Sequence, residues 1–278
     1  MTSVNAISLA EAENRFCDFN HIVKKFDRIE AIGIHGSLTA GSEKVAKDAD
    51  YIVMLNRVSE PIGTDNETNA YADKVISVIC KDLNGELGKS YVSENLSLIG
   101  HSILTRDKKK LSFHFVSLTF CQSSIESLSF PNQQIDCIFS TEITPTKVYR
   151  LWVKDTIILF DRNGDLRKLK KKAVDRYHTS IIPYVREHLF SSINQYCGCH
   201  DKSAQYLLRQ SVVNAAVLLV YAFNNEFFGS PKKLLKDLNN FKIKKNESCI
   251  IQDLLEHPNS DNSFNELIRC FNNDSFRF

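Results

Sequence analysis

The 278-residue chain lacks any long apolar run. The longest, residues 215–223, falls far short of the ~20 residues a membrane span needs. No basic segment followed by an apolar one opens the sequence, so a soluble, unprocessed, cytoplasmic protein without membrane partners is expected. Charge of one sign is also missing. A net charge of +2 excludes strong attraction to nucleic acid over the whole surface and leaves only local patches, at Lys108-Lys109-Lys110 and at Arg167, Lys168, Lys170, Lys171 and Lys172. Each patch reads either as a solvated face or turn, or as a groove for phosphates or RNA. Paired zinc ligands are lacking as well. Cys197, Cys199 and His200 cluster, but no second pair stands nearby at zinc spacing, which favours a turn between helices. The eight cysteines are otherwise scattered and read as reduced core thiols. Internal repeats and low-complexity tracts are absent too.

What is present is ordinary globular material, 43% hydrophobic and 24% charged, long enough for one large or two modest domains. Phe16, Phe19, Val23 and Phe26 recur at helical spacing, predicting an amphipathic helix over residues 9–26. Residues 31–35 form a short β-rich run ending at Gly36-Ser37, and residues 51–55 a second strand. Tyr71, Val75, Val78 and Ile79 mark one face of a helix over 71–83, closed by Asn84-Gly85. Residues 97–105 and 111–120 read as two further strands joined by a polar turn. The weak pattern from 121 to 146, with turn signals at Pro131 and Pro145, places the domain junction there, extended to 161–164. Beyond it, residues 165–195, 202–228, 232–241 and 250–270 carry helical periodicity, interrupted by Pro183, Gly198, Gly229 and Pro258. The expected architecture is therefore α+β. A small mixed β-sheet with flanking helices occupies residues 1–145, and a C-terminal helical bundle occupies residues 146–278.

The segment that carries chemistry runs from Gly36 to Tyr51. A glycine-serine pair ends one strand, and after ten more residues Asp48 and Asp50 flank an alanine at the opening of the next. Residues i and i+2 of a strand share a face, so the two carboxylates point together and suit hard divalent cations. Magnesium is the natural candidate, and a pair of ions stabilises both the attacking and the leaving oxygen of an in-line displacement. Gly36 lets the backbone approach a triphosphate, while the Ser37 hydroxyl and the amides that follow can donate to phosphate oxygens. The second glycine-serine pair, Gly41-Ser42, has only five residues between it and Asp48, which assigns the bend to the first pair and leaves Ser42 as a further candidate to face the phosphates. The alternative is a strand-end turn and two solvated aspartates.

Ile34-His35-Gly36-Ser37 with Asp48-Ala49-Asp50-Tyr51 resembles the signature of the DNA polymerase beta-like nucleotidyltransferase superfamily, although His35 stands where that signature prefers an apolar residue. Residues 156–166 and 221–234 look like the helical domain of the streptomycin and lincosamide adenylyltransferases. That resemblance implies magnesium-dependent transfer of a nucleoside monophosphate from a nucleoside triphosphate to an acceptor. It implies Asp48 and Asp50 as catalytic metal ligands, Gly36, Ser37 and Ser42 on the nucleotide, and Lys232 or Lys233 reaching the triphosphate. Ser230 as an N-cap and Pro231 after it would place both lysines on the first turn of a helix. The acceptor implied is a small hydroxylated molecule of aminoglycoside or lincosamide type. A tRNA or protein hydroxyl is the alternative, and a non-catalytic nucleotide-binding or interaction module is a third reading.

The superfamily's third carboxylate is missing from the strand that should supply it. His114 occupies the central position, with Ser112 and Val116 on its face. It reads as a general base, as a ligand for a softer metal, or as a core histidine. Glu94, Asp136, Glu142, Asp155 and Asp161 are other sources of a base.

Overall fold

Three features of the chain start its first helix: Ser8, Glu11 and the apolar stripe behind them. In the computed structural model, which describes residues 4–39, 45–58, 61–93, 97–127, 148–176, 181–224, 226 and 234–272, strand β1 (Ile7–Ser8) runs into helix α1 (Leu9–Val23). The Ser8 hydroxyl accepts from the Glu11 amide, and the Glu11 carboxylate accepts in return from the Ser8 amide, a reciprocal cap. Those contacts hold the Glu11 carboxyl down at about 2. Phe16, Phe19, Ile22 and Val23 form the buried face of α1.

Strand β2 (Ile29–His35) ends in a one-turn helix over Gly36–Leu38. Short β3 (Val45–Ala46) pairs with β1, and β4 (Asp48–Leu55) follows. Helix α2 (Asn66–Asp82) starts where the Asp65 carboxylate accepts from the Glu67 amide, five residues before the apolar periodicity becomes readable at Tyr71. Asn84, at φ +49°, turns the chain out of the helix. Then come β5 (Glu86–Leu87), β6 (Tyr91–Val92), β7 (Leu98–Leu104) and β8 (Lys110–Ser117). The strand expected to reach residue 120 stops at Ser117, whose hydroxyl accepts from the Phe120 amide and turns the chain into α3 (Leu118–Ser127).

Residues 156–166, expected to belong with the helical half, instead supply β9 (Ile157–Asp161), an edge strand lying antiparallel to β2. The loop after it is fastened by Arg162, which donates to the carbonyls of Ile29 and Phe26 at 3.1 and 3.0 Å. Buried Glu30 accepts there from the Asn163 amide and the Asn56 side chain, which satisfies its carboxylate. Helix α4 (Asp165–Arg176) follows, with Asp161 accepting from the amides of Leu166 and Arg167.

Among the described residues the strands form a seven-stranded mixed sheet of order β5-β7-β8-β4-β2-β9, with β6 also on β7. Only the β4–β8 pairing within it is parallel. Tyr51, Val53, Phe113 and Phe115 point to one face, where they pack on Phe19 of α1 and Val75, Ile76 and Ile79 of α2. Tyr51 and Phe113 stack at 5.1 Å, Phe19 meets both edge-on, and the Tyr51 hydroxyl donates to the Ala12 carbonyl.

The chain divides into two compact units, one holding the described residues up to Ser127 and from Val148 to Asp175, the other those from Arg176 onward. The second unit is helical: α5 (Ile181–Gly198), α6 (Lys202–Phe223), α7 (Leu234–Asn240), α8 (Lys245–Glu256) and α9 (Asp261–Asn272). Pro183 sits in the first turn of α5, where its missing amide proton costs nothing, and Pro258 separates α8 from α9. Helix α6 is capped by Asp201, which accepts from the Ala204 amide. It is long and apolar enough to cross a membrane by length and composition, but Val212, Ala216, Leu219, Val220 and Tyr221 are buried. A mixed sheet with flanking helices, followed by helices, is the expected fold class.

The cysteines depart from the expectation of core thiols. Cys80 and Cys121 are buried, whereas Cys17, Cys197 and Cys249 are exposed, and among the described residues no group of three or more His, Cys, Asp or Glu side chains could hold a metal ion.

Candidate active site

The face of the sheet opposite α1 and α2 carries the polar residues. On β4, Asp48 and Asp50 alternate with buried Ala49 and Tyr51. Parallel pairing with β8 sets Lys110 opposite Asp48, Ser112 opposite Asp50 and His114 opposite Ile52, while antiparallel pairing with β2 sets His35 opposite Asp50. Paired residues in adjacent strands point the same way. The register therefore collects Asp48, Asp50, His35, Lys110, Ser112 and His114 on one surface.

Gly36 touches this surface first. Its φ of +81° is a left-handed conformation that disfavours side chains, and a Cβ there would stand 2.6 Å from Asp50 Oδ2. The turn favours glycine, and the Asp50 carboxylate lies so close that a side chain here would push it aside. Ser37 is partly exposed in the same one-turn helix. Asp48 Oδ2 accepts from Lys110 Nζ at 3.1 Å and from the Ser112 hydroxyl at 3.4 Å.

His35 and His114 reach over the intervening strand β4 and join, Nε2 to Nδ1, at 2.8 Å. Burial pushes the His114 imidazole down to about 4, with the Lys110 charge acting in the same direction and the Asp48 charge against both. It is therefore neutral at pH 7. One nitrogen of the His35–His114 contact donates and the other accepts. Where His114 Nδ1 donates, its Nε2 keeps a lone pair for an incoming proton; where His114 Nδ1 accepts, Nε2 carries the hydrogen.

Tyr91 completes the group. Its ring lies across Gly100, where a Cβ would come within 2.3 Å of it, and stands 6.3 Å from the His114 ring, edge to face. Burial raises its phenol, and the charges of Asp50 and Asp48 raise it further, so both carboxylates act on this one side chain.

Of the residues expected from the sequence, Gly36, Ser37, Asp48, Asp50 and His114 come together. Ser42, Lys232 and Lys233 lie outside the described residues, as do Glu94, Asp136 and Glu142. Asp161 is occupied in capping α4. Sequence reasoning missed Lys110, His35 as partner of His114, and Tyr91. Lys110 was readable in principle, because 110, 112 and 114 share strand parity; assigning it to the preceding turn hid it. Its neighbours serve structure: Lys108 turns the chain at φ +59°, and Lys109 binds the Ala6 carbonyl and Glu11. In the second basic patch, Lys168 pairs with Asp165, Lys170 donates to the Thr156 carbonyl and Lys172 pairs with Glu126. A cavity of about 420 Å³ beside α3 and α4 is lined by Thr119, Gln122, Glu126, Lys168 and Lys172, among others, and by none of the carboxylate-site residues.

Two same-side carboxylates beside a glycine that a Cβ would fill suit a magnesium ion, which takes one or two protein carboxylates and completes its shell with waters and phosphates. Lys110 already neutralises part of that charge.

The sequence matches no protein-family profile and no curated protein. Among solved structures it is similar to a nucleotidyltransferase-like protein from Exiguobacterium sibiricum 255-15, at 11% identity and a TM-score of 0.37, over 94% of this chain and 71% of that one.

Proposed function

We propose that the protein is a nucleotidyltransferase, moving a nucleoside monophosphate from a nucleoside triphosphate to an acceptor hydroxyl. The observation that carries this reading is the Asp50 carboxylate lying against the Cα of Gly36, with Asp48 two residues along on the same face. A triphosphate on the glycine bend would then meet both carboxylates.

Asp48 and Asp50 would hold magnesium, which when bound supplies Lewis-acid polarisation of the phosphate oxygens. The Gly36 bend admits the phosphate chain to the backbone, and the Ser37 hydroxyl donates to it. The acceptor oxygen bonds to the α-phosphorus, the bridging bond to the β-phosphate breaks, and pyrophosphate leaves. His114 takes the hydroxyl proton on Nε2 in the tautomer whose Nδ1 donates to His35. Positioning and fixed charge supply most of the rate. The acceptor we favour is a small hydroxylated molecule, a reading that rests on the sequence resemblance alone.

A second reading has a specific observation behind it. Among the described residues no third carboxylate joins Asp48 and Asp50, and Lys110 binds Asp48 directly. That arrangement also suits a module that binds a nucleotide without turning it over.

The test is incubation with magnesium, each labelled triphosphate and candidate acceptors, read as pyrophosphate release. Asp50→Ala should abolish release and weaken triphosphate binding. No release with any acceptor, together with equal triphosphate affinity in that variant, would overturn the enzyme reading.

A further inference from the structure

Asp48 and Asp50 put two negative charges at adjacent same-side positions of one strand, and a cation of the protein's own already stands among them. Lys110 Nζ is 3.1 Å from Asp48 Oδ2, the oxygen that also accepts from Ser112. This contact is built into the backbone. Lys110 opens β8 and is the register partner of Asp48 across the parallel pairing. The start of β8 is pinned by Lys109, which binds the Ala6 carbonyl and Glu11, and by the Asn5 amide, which donates to the Lys108 carbonyl at 2.8 Å. Lys110 cannot leave Asp48 by a strand shift, because a slip of one residue would carry Leu111 and Phe113 out of the core.

An ammonium is a compact, strongly hydrated point charge and a donor to phosphate oxygens. At 44% side-chain exposure Lys110 keeps access to solvent, while Asp48 is at 28%. A divalent ion sharing Asp48 Oδ2 must compete with it. Asp50, against Gly36, lies one position further along the strand face.

We propose that the Lys110 ammonium fills one of the two cation positions at the carboxylate pair, so that the triphosphate is held by one divalent ion at Asp50 together with a resident lysine. This inference rests on the nucleotidyl-transfer reading. In it Lys110 is a binding residue for phosphate oxygens, and Ser112 is a positioning residue that fixes the Asp48 carboxylate.

Manganese binding tests it without reference to turnover. Free manganese is followed by its electron paramagnetic resonance signal as the ion is titrated into the full chain. Wild type should bind one ion. Lys110→Met should bind a second at the vacated carboxylate, or tighten the first about tenfold, since a positive charge a few ångströms away is gone. Lys110→Arg should stay near wild type, and adding Asp48→Asn to Lys110→Met should cancel the gain. If Lys110→Met does not fold by circular dichroism, Lys110→Gln replaces it. Unchanged manganese stoichiometry and affinity, in a folded variant whose parent binds manganese and triphosphate, overturns the proposal and leaves nucleotidyl transfer standing. Failure of the wild type to bind either manganese or any triphosphate overturns both.

Discussion

The two faces of the central sheet are made by the same strands and differ in almost everything else. On β4, Tyr51, Val53 and Leu55 point to the α1–α2 side and are fully or nearly fully buried, whereas Asp48 and Asp50 point the other way and are only half-buried. On β8, Phe113 and Phe115 alternate with Ser112 and His114 in the same manner. The apolar face holds the fold together by area removed from water and by aromatic packing. The polar face tolerates these groups because neighbours satisfy them: Lys110 pairs its charge with Asp48, Ser112 donates to the same carboxylate, and His35 shares a hydrogen bond with neutral His114. A strand's period of two lets stability and chemistry share eight residues without competing for a position.

Substitutions on the two faces should separate these roles, and the largest loss of stability belongs to the apolar one. Phe113→Ala removes a fully buried ring that meets Phe19 and Tyr51, and should cost about 3–5 kcal/mol in denaturant unfolding. A loss below about 1 kcal/mol would mean the α1–α2 face is not the principal core. Next comes His114. Burial lowers its imidazole from 6.5 to about 4, so the unfolded chain takes up a proton that the folded one refuses as pH falls through this window. Stability should therefore drop by up to about 3 kcal/mol between pH 6.5 and pH 4 and level off below. His101 is lowered by burial too and contributes in the same direction, so the readout is the difference between wild type and His114→Gln, which should be flatter. Equal slopes would show that His114 is not held neutral.

Smaller again is Gly36→Ala, which forces a side chain into φ +81° and against Asp50 and should cost about 1–2 kcal/mol. Triphosphate affinity measured in parallel should fall more than the stability loss explains, because the carboxylate is pushed aside; intact affinity would detach the bend from the site. Least of all, on the stability scale, stands Asp50→Ala. Its unfolding midpoint should stay close to wild type while pyrophosphate release disappears, and a large unfolding effect would make Asp50 a structural residue.

Much of this molecule was readable in one dimension because its signals are local. The apolar run at 51–55 and the alternation around residues 112–116 mark strands, and the helical spacing of Phe16, Phe19 and Val23 marks α1, whereas the start of α2 at Asp65 lay outside the readable periodicity. The glycine bend and the aspartate pair were legible for the same reason, since their spacing is a property of two consecutive strands. β9 was not. Residues 157–161 carry a strand-like run, but their partner β2 lies more than a hundred residues earlier, and nothing local says which sheet they join. Lys110 and His35 were missed likewise: each owes its place to pairing across strands.

By itself the sequence determined which residues could bear chemistry, two aspartates of matching parity and a glycine that tolerates φ above zero, because backbone periodicity and steric limits act within a few residues. The tertiary structure alone decided what stands around them. Setting β8 parallel to β4 in one register out of many brought a lysine to Asp48, and setting β2 on the other side let two imidazoles meet over the strand between them. Such choices are made by the burial of Tyr51, Phe113 and Phe115 on the far face, where a slip of one residue would turn every core side chain toward water.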